Sequence, residues 1–338
     1  MYKNLRNKKI LVFGNSGFVG SWLSIALHCF KSNILGVSLK MTNKNYISNT
    51  NQFKKSIKTL NCDINNLSKI TKKIQKFNPE IVIHLASQPI VHEGYRNPEK
   101  TFKTNLFGTI QIFELIKKIK SVKKVIVFTS DKVYLNNYKT LTENSNLGGL
   151  DPYSASKSCQ DILSQSYNSS FLNKDMIIIR SGNIIGGGDW GSNRLIPDIM
   201  NSIKKKESVK VRSINSTRPW LHILDVINGI ILLVSKKTNS DQTNIYNLAP
   251  RKQNQVKVKK ILVLVQKILS TNLKILIKKN KIKEKKYLKL SSKKIYKDLG
   301  WKCKLGLKKS LDLTIKLYLT KRDKLFDKTK EQILVFFN

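Results

Sequence analysis

Residues 9–30 read KILVFGNSGFVGSWLSIALHCF, and this stretch decides the fold class. An apolar run leads into Gly14, Gly17 and Gly20, which have G-x-x-G-x-x-G spacing, and an amphipathic segment follows directly. A glycine turn between a strand and a helix lets the pyrophosphate of a dinucleotide approach the backbone and the amino end of the helix. The stretch therefore predicts a dinucleotide-binding turn, with a simple tight turn as the alternative.

Further apolar runs recur along the first half of the chain, with segments of helical periodicity between them. These runs occupy residues 33–39, 57–63, 80–86, 124–130 and 175–185. Continuous apolar runs that alternate with amphipathic helices are typical of strands buried on both faces of a parallel sheet. We therefore predict an α/β fold, a Rossmann-type doubly wound parallel sheet whose ligands bind at the carboxyl ends of its strands.

The pattern changes after residue 186, where a glycine-rich turn is followed by shorter, mixed elements. We predict a dinucleotide-binding Rossmann domain over residues 1–186. A smaller mixed C-terminal lobe, over residues 187–338, is expected mainly to bind substrate. The boundary is soft, because the segment 217–240 could bring the chain back to the first domain.

The charge balance is unusual. The chain has 63 Lys and Arg residues against 21 Asp and Glu residues, which gives a formal net charge of +42. Such a balance suits a nucleic acid, an anionic membrane or an anionic substrate. The lysines are spread along the whole chain, arginine is scarce and no nucleic-acid-binding motif accompanies them, so we expect diffuse surface charge and no specific nucleic-acid partner.

The cysteines and the apolar segments indicate the compartment. Cys29, Cys62, Cys159 and Cys303 are far apart and form no CxxC or Cys/His cluster, which predicts neither a metal site nor a disulfide framework. The first residues have no signal-peptide pattern, and the longest apolar runs are too short to span a bilayer. We therefore expect a cytoplasmic protein with no membrane partner.

A second set of residues indicates proton transfer. Tyr153 and Lys157 lie four residues apart in the helix-like stretch YSASK, so they share one helix face. A nearby ammonium favours phenolate over phenol, which lets a tyrosine act as a base. Ser130, in TSDKVY at a predicted strand end, could orient the sugar hydroxyl that is deprotonated. A lone Y-x-x-x-K match is usually only a helix surface, but here it follows a glycine turn and a strand-end serine.

Longer motifs run from about residue 8 to about residue 318. They are HLASQP (84–89), TNLFGT (104–109), TSDKVY (129–134), LGGLDPYSASK (147–157), GNIIGGGDWGSNRLIPDI (182–199), TRPWLHILD (217–225) and LGW (299–301). With these motifs the chain resembles the extended short-chain dehydrogenase/reductase family, and within it the nucleotide-sugar 4,6-dehydratases that act on CDP-glucose.

The resemblance implies an NAD-dependent, redox-neutral hydro-lyase that works on a nucleotide sugar in deoxysugar and polysaccharide biosynthesis. Tyr153, assisted by Ser130 and Lys157, would take the C4 hydroxyl proton, and Asp131 would protonate the departing C6 oxygen. Lys132 would act either as a neutral amine in a desolvated site or by positioning water and stabilising the enolate. A 4-epimerase of the same family and a non-catalytic basic binding protein on a Rossmann scaffold are the alternatives.

The resemblance also implies the ligand contacts. The residues expected to bind NAD are Gly14, Ser16, Gly17, Phe18, Val19, Gly20, Ser38, Asp63, Ile64, Leu85, Ala86, Gln88 and Asn105, together with Tyr153 and Lys157. The residues expected to bind the nucleotide sugar are Gln88, Asn183, Arg194 and Arg218. A homodimer is implied as well.

Several of these assignments have alternatives. Asp63 is a candidate partner for the adenine amino group, but it could instead cap a helix. Arg194 and Arg218 suit a diphosphate, but either could form a structural ion pair. Ser38 and Lys40 stand where NAD-binding proteins usually have an acidic residue, so this position does not distinguish NAD from NADP.

Overall fold

The computed structural model describes residues 3–135, 140–236, 243–277 and 287–338. Its strands are β1 Lys9–Phe13, β2 Asn33–Ser38, β3 Lys58–Asn61, β4 Ile81–His84, β5 Lys124–Phe128, β6 Thr140–Leu141, β7 Asp175–Ser181, β8 Asn183–Ile185, β9 Val209–Val211, β10 Thr217–His222, β11 Asn244–Leu248, β12 Gln255–Lys257, β13 Ile275–Ile277 and β14 Lys289–Leu290. Its α-helices are α1 Phe18–Cys29, α2 Asn51–Ser56, α3 Thr71–Phe77, α4 Val91–Arg96, α5 Pro98–Phe102, α6 Gly108–Lys117, α7 Pro152–Tyr167, α8 Leu195–Lys205, α9 Ile223–Ser235, α10 Val258–Leu269, α11 Lys293–Leu299, α12 Leu307–Tyr318 and α13 Leu325–Phe337.

Within the described residues, seven strands form a parallel sheet in the order β11-β7-β5-β4-β1-β2-β3. The chain builds the sheet outward from β1 through β2 and β3 on one side, and through β4, β5, β7 and β11 on the other. The strand order therefore reverses between β1 and β4, which is where ligands bind in doubly wound folds. The predicted Rossmann-type sheet is confirmed.

The side chains of β1 show why the sheet is buried on both faces. Ile10 and Val12 pack in one apolar cluster with Trp22 of α1, whereas Leu11 and Phe13 pack in a second cluster. Successive side chains of a strand point to opposite faces, so an uninterrupted apolar run buries both faces. Packing on both faces of the sheet fixes the positions of the strand ends and of the residues that follow each strand.

A third apolar cluster lies apart from the sheet and unites the C-terminal elements. Its buried members are Ile185, Ile196, Ile199, Met200, Val209, Val211, Trp220, Val258, Ile261, Leu262, Val265, Leu307, Leu311 and Ile315. They come from β8, α8, β9, β10, α10 and α12, a region that lies almost entirely within the predicted substrate lobe.

Part of the chain after residue 217 returns to the large sheet. Ile227 and Ile231 of α9 share an apolar cluster with Ile10 of β1, and β11 pairs with β7. Residues 237–240, the end of the predicted returning segment, lie outside the described residues. The division of function at residue 186 stays a prediction.

No helix among the described residues is both long and apolar enough to cross a membrane. In the same ranges, no group of three or more His, Cys, Asp or Glu side chains is placed to hold a metal ion. The cysteines Cys29, Cys62, Cys159 and Cys303 are free thiols.

Candidate active site

A cleft opens at the carboxyl ends of the parallel strands, where the strand order reverses. Its volume is about 1290 Å³, and the sheet forms one wall while α8, β9 and β10 contribute to the other. The predicted site residues that line it are Gly14, Gly17, Phe18, Val19, Gly20, Ser38, Asp63, Ile64, Leu85, Ala86, Ser130, Asp131, Lys132, Tyr153, Lys157, Asn183, Arg194 and Arg218. The structure thus brings most members of both predicted ligand sets to one cavity.

The glycine turn has two kinds of glycine. Gly14 has φ +83°, and a Cβ there would lie 2.7 Å from the Ala86 nitrogen. A Cβ on Gly20 would lie 2.0 Å from the Gly14 carbonyl oxygen. At Gly17, by contrast, a Cβ would meet only that oxygen, at 3.4 Å, which is an ordinary contact. The fold therefore requires glycine at positions 14 and 20, whereas the absent side chain of Gly17 leaves space in the cleft.

That space suits an anionic cofactor. Gly17 is the N-cap of α1, and no side chain caps the helix there. Backbone N–H groups at the start of a helix favour negative charge, and a glycine lets a pyrophosphate approach them. The residues at the β1/β4 switch point therefore fit the pyrophosphate of NAD.

The strand-end segment after β5 is held by its own side chains. Ser130 caps a short turn, Asp131–Val133, by accepting a hydrogen bond from the Lys132 N–H at 3.3 Å. Its hydroxyl donates to Asp131 Oδ1 at 3.0 Å, and Lys132 Nζ lies 3.4 Å from the same oxygen. Asp131 Oδ2 is buried and has no hydrogen-bond partner among the described residues. One carboxylate oxygen is therefore anchored, while the other is unpaired.

Tyr153 lies in the first turn of α7, where Asp151 caps the helix by accepting from the Ser154 N–H at 2.9 Å. Burial raises the pKa of Tyr153 to about 12, a hydrogen bond with the Ser130 side chain lowers it, and the charge of Asp131 raises it. The sequence predicts a Tyr153 pKa lowered by Lys157. In this structure burial dominates and the net shift of the Tyr153 pKa is upward, while stabilisation of the phenolate by Lys157 stays a prediction.

Lys157 is the second buried member of the helix pair. Its Nζ donates to Gln160 Oε1 at 2.8 Å and lies 3.5 Å from the Phe128 carbonyl oxygen. Burial lowers the pKa of Lys157 to about 7. The positive charge predicted for Lys157 is therefore stabilised by two hydrogen-bond acceptors, Gln160 Oε1 and the Phe128 carbonyl oxygen.

Three of the residues predicted to bind the cofactor form hydrogen bonds with neighbouring protein groups next to the cleft. Asn105 accepts from the Gln88 N–H at 2.7 Å through Oδ1, and its Nδ2 donates to Ser156 at 2.9 Å. The carbonyl of Ser16 accepts from the Ser48 hydroxyl at 2.8 Å. Ser16, Gln88 and Asn105 are not among the residues that line the cleft. Direct ligand contact by these three stays a prediction, as does the Gln88 contact with the sugar.

Asp63 lines the cleft and caps a short helical turn, which is the alternative role that the sequence allowed. Its Oδ1 accepts from the backbone N–H and the side-chain Nδ2 of Asn65, both at 2.9 Å, at the start of the turn Ile64–Ile70. Ser38, the last residue of β2, lines the same region. Asp63 thus has a structural role in the fold, and contact with adenine stays a prediction.

The two arginines differ in their surroundings. Arg194 NH1 donates to both carboxylate oxygens of Asp189, at 3.0 and 2.9 Å, so the ion-pair alternative is realised there. Arg218 is buried in β10, and its NH1 donates to the Thr217 carbonyl at 2.9 Å. Asn183, at the start of β8, lines the cleft beside them. A diphosphate role for either arginine stays a prediction.

Sequence reasoning missed other residues that line the cleft. Tyr46, Lys210 and Arg212 contribute to its walls, and so does Tyr318 at the end of α12. The Tyr318 hydroxyl donates to the backbone carbonyl of Asp189. The alternation Lys210, Arg212 in the strand-like stretch VKVR could have indicated two cations on one face. No local pattern could have indicated the two tyrosines, because their neighbours are distant in the chain.

A parallel sheet with a glycine turn at its switch point and a Ser, Tyr and Lys set in the cleft defines the short-chain dehydrogenase/reductase class of enzymes. The chain belongs to the NAD dependent epimerase/dehydratase family, which it matches over residues 10–249. The predicted family, the enzymatic character of the chain and NAD as the cofactor are confirmed by this membership.

Similar proteins include both dehydratases and epimerases. The chain is 32% identical to the CDP-glucose 4,6-dehydratase of Salmonella typhimurium over 92% of the chain and 90% of that protein. Its fold is similar to that of DesIV, a dTDP-glucose 4,6-dehydratase from Streptomyces venezuelae solved with NAD and TYD bound (TM-score 0.80, 18% identity, 91% of this chain and 95% of that one). It is also similar to a UDP-glucuronic acid 4-epimerase from Bacillus cereus in complex with UDP-glucuronic acid and NAD (TM-score 0.82, 20% identity, 96% and 99%).

Proposed function

We propose that this enzyme catalyses the NAD-dependent 4,6-dehydration of a nucleotide-activated hexose, with CDP-glucose as the first candidate substrate. The observation that carries the proposal is the pairing of Ser130 with Asp131 and Lys132 in the cleft that Tyr153 lines. A 4-epimerase needs a base for the C4 hydroxyl but no acid for a leaving C6 oxygen. The similarity to the Salmonella CDP-glucose enzyme supports the choice of nucleotide.

The first chemical step requires removal of the C4 hydroxyl proton. Tyr153 takes this proton as general base, and the Ser130 hydroxyl positions the sugar oxygen. Because burial holds the Tyr153 pKa near 12, the phenolate needs stabilisation from the chain. The Ser130 hydrogen bond and an ammonium on Lys157, one turn along the helix, supply it. Bound NAD supplies a reversible hydride acceptor, as a reaction without net oxidation requires.

The elimination requires a base at C5 and an acid at C6. Lys132 Nζ lies 3.4 Å from Asp131 Oδ1. A proton that moves from Lys132 to Asp131 produces a neutral amine and a carboxylic acid. The amine then takes the C5 proton, which the C4 ketone has made acidic, and the Asp131 carboxyl protonates the departing C6 oxygen. One water leaves and both side chains regain their starting charges. Return of the C4 hydride to C6 and of a proton to C5 would then reduce the remaining alkene and complete the reaction without net oxidation.

The test is incubation of the purified protein with CDP-, dTDP-, UDP- and GDP-hexoses, followed by mass spectrometry. We expect loss of one water from CDP-glucose without net accumulation of NADH. Conversion of another nucleotide sugar alone would change the substrate and retain the reaction class. A product of unchanged mass that is an epimer at C4 would replace the dehydratase proposal with the 4-epimerase.

The oligomeric state is part of the proposal. We infer a homodimer that forms through the α6 and α7 face of the sheet domain. Phe107, just before α6, is 58% exposed, Ile162 on α7 is 54% exposed and Phe171, just after α7, is 61% exposed. Large apolar side chains exposed near one another are typical of an association surface. Light scattering on the protein and on Ile162→Glu tests this, because the variant should be monomeric at concentrations where the parent is dimeric.

We further propose a cytoplasmic location. The four free thiols support a reducing compartment, in which disulfides rarely persist. Fractionation of cells that express the tagged protein tests this, and recovery from a membrane or extracellular fraction would contradict it.

A further inference from the structure

Gln160 is a buried polar residue of α7 that the proposed mechanism does not use. It lies three residues after Lys157, so the two side chains are neighbours on one helix face. Gln160 is fully buried, with 0% exposure. Its Oε1 accepts a hydrogen bond from Lys157 Nζ at 2.8 Å, which is shorter than the 3.5 Å from Nζ to the Phe128 carbonyl. Gln160 is therefore the nearer of the two acceptors.

The orientation of the Gln160 amide is fixed from its other end. Its Nε2 lies 3.0 Å from Thr109 Oγ1 and 3.1 Å from His84 Nε2. The Thr109 hydroxyl donates to the Asn105 carbonyl at 2.7 Å, so its oxygen is available to accept from the amide. With the nitrogen held in this way, the carbonyl end of the amide points to Lys157. A buried amide with both ends bonded resists rotation.

The charge of Lys157 depends on such acceptors. Burial lowers the pKa of Lys157 to about 7, so the ammonium is lost as the pH rises through neutrality. An acceptor for the N–H groups of the ammonium favours the charged form. The titratable groups near this position are Tyr153, one turn earlier on the same helix, and His84 at the end of β4, whose pKa the charge of Lys157 lowers; Asp131, after β5, acts on Tyr153. Burial lowers the pKa of His84 to about 3, so this imidazole is neutral near pH 7.

We propose that Gln160 is a positioning residue for Lys157, whose ammonium it holds at the cleft wall and keeps charged through its side-chain carbonyl. This inference rests on the proposed function in one respect: the role of Lys157 in stabilising the Tyr153 phenolate. Gln160 itself is not among the residues that line the cleft. Its influence on the reaction is therefore exerted through Lys157.

Two substitutions act in opposite directions. Gln160→Leu keeps the size but removes the acceptor, so Lys157 should lose its proton at a pH lower by about one unit, the shift expected for loss of a hydrogen bond to a charged group. Gln160→Glu keeps the acceptor and adds a negative charge, so the midpoint should move to higher pH. Gln165→Leu is the matched control, because Gln165 lies on the same helix and donates to Asp161 rather than contacting Lys157.

The experiment measures the proton on Lys157 without turnover. Each variant is labelled with a trace of acetic anhydride across a pH series, and the peptide that contains Lys157 is quantified by mass spectrometry. Only the neutral amine reacts. We expect the labelling midpoint to fall in Gln160→Leu, to rise in Gln160→Glu and to stay unchanged in Gln165→Leu. Equal midpoints in the parent and a folded Gln160→Leu would overturn the proposal.

The design also covers a variant that does not fold. If Gln160→Leu is insoluble, Gln160→Glu carries the test alone, and a midpoint that does not rise there overturns the proposal. In active protein, the alkaline limb of kcat/KM should follow the labelling midpoint of each variant. If no nucleotide sugar is dehydrated but the midpoints shift as expected, only the proposed function fails.

Discussion

The proposed cofactor half of the cleft and the proposed substrate half are built in different ways. In the proposed cofactor half, Gly14 is required by its positive φ and its close approach to the Ala86 nitrogen, Gly20 is required by contact with the Gly14 carbonyl oxygen, and Gly17 leaves space for a ligand. The substrate half consists of side chains such as Arg194, paired with Asp189 on one short segment. The positive φ of Gly14 follows from its residue type, whereas the side-chain wall also includes pairings between distant parts of the chain, such as that of Tyr318 with the Asp189 carbonyl. The two halves should therefore respond differently to substitution.

The largest effect is expected at the boundary between the halves. Tyr153→Phe removes the proposed base and should lower kcat by roughly 10³-fold, within the range for loss of a general base. Binding of NAD, measured by calorimetry, should change little. Tyr296→Phe, at an exposed tyrosine, is the control and should be fully active. A Tyr153→Phe variant with parental turnover would contradict the proposed role of Tyr153 as the general base.

The glycine turn offers a matched pair for the cofactor half. Gly20→Ala places a methyl group 2.0 Å from the Gly14 carbonyl oxygen. It should lower the free energy of unfolding by ~3 kcal/mol, as overpacking does. Gly17→Ala should leave the melting temperature nearly unchanged but weaken NAD binding about tenfold, or ~1.4 kcal/mol. If both variants lose the same stability, glycine is required at position 17 for folding and not for NAD binding.

Asp131→Asn separates elimination from oxidation. The amide cannot carry the proton for the C6 oxygen, so dehydration should fall by about 100-fold, the lower range for a general acid. Oxidation at C4 should persist, and rapid mixing should detect it as transient NADH absorbance. Asp323→Asn, on the surface turn after α12, is the control. Full dehydration by Asp131→Asn would favour another acid.

The smallest effect is expected in the substrate half. Arg194→Met should raise KM for the nucleotide sugar about tenfold, since a diphosphate would lose a guanidinium partner. The melting temperature should also fall, because the Asp189 side chain is only 6% exposed and would lose its ion-pair partner. Asp189→Asn is the comparison. If both variants lower the melting temperature equally and leave KM unchanged, Arg194 is a structural residue.

Much of the fold and part of the site could be predicted from the sequence, for a physical reason. The glycine turn and the Tyr153–Lys157 spacing are local patterns, so their placement follows from the elements that contain them. The direction of the Tyr153 pKa shift was not predictable, because it depends on burial by the completed fold. The acceptor role of Gln160 was also missed, since an amide three residues after a lysine is common on exposed helices.

The position of Tyr318 near the end of the chain bears on when the cleft is completed during translation. Tyr318 lines the cleft and binds the Asp189 carbonyl across 129 residues of chain. The strand-turn-helix unit with the glycines leaves the ribosome long before α12 is made. The wall of the cleft to which Tyr318 contributes is therefore complete only when nearly all of the polypeptide has been synthesised.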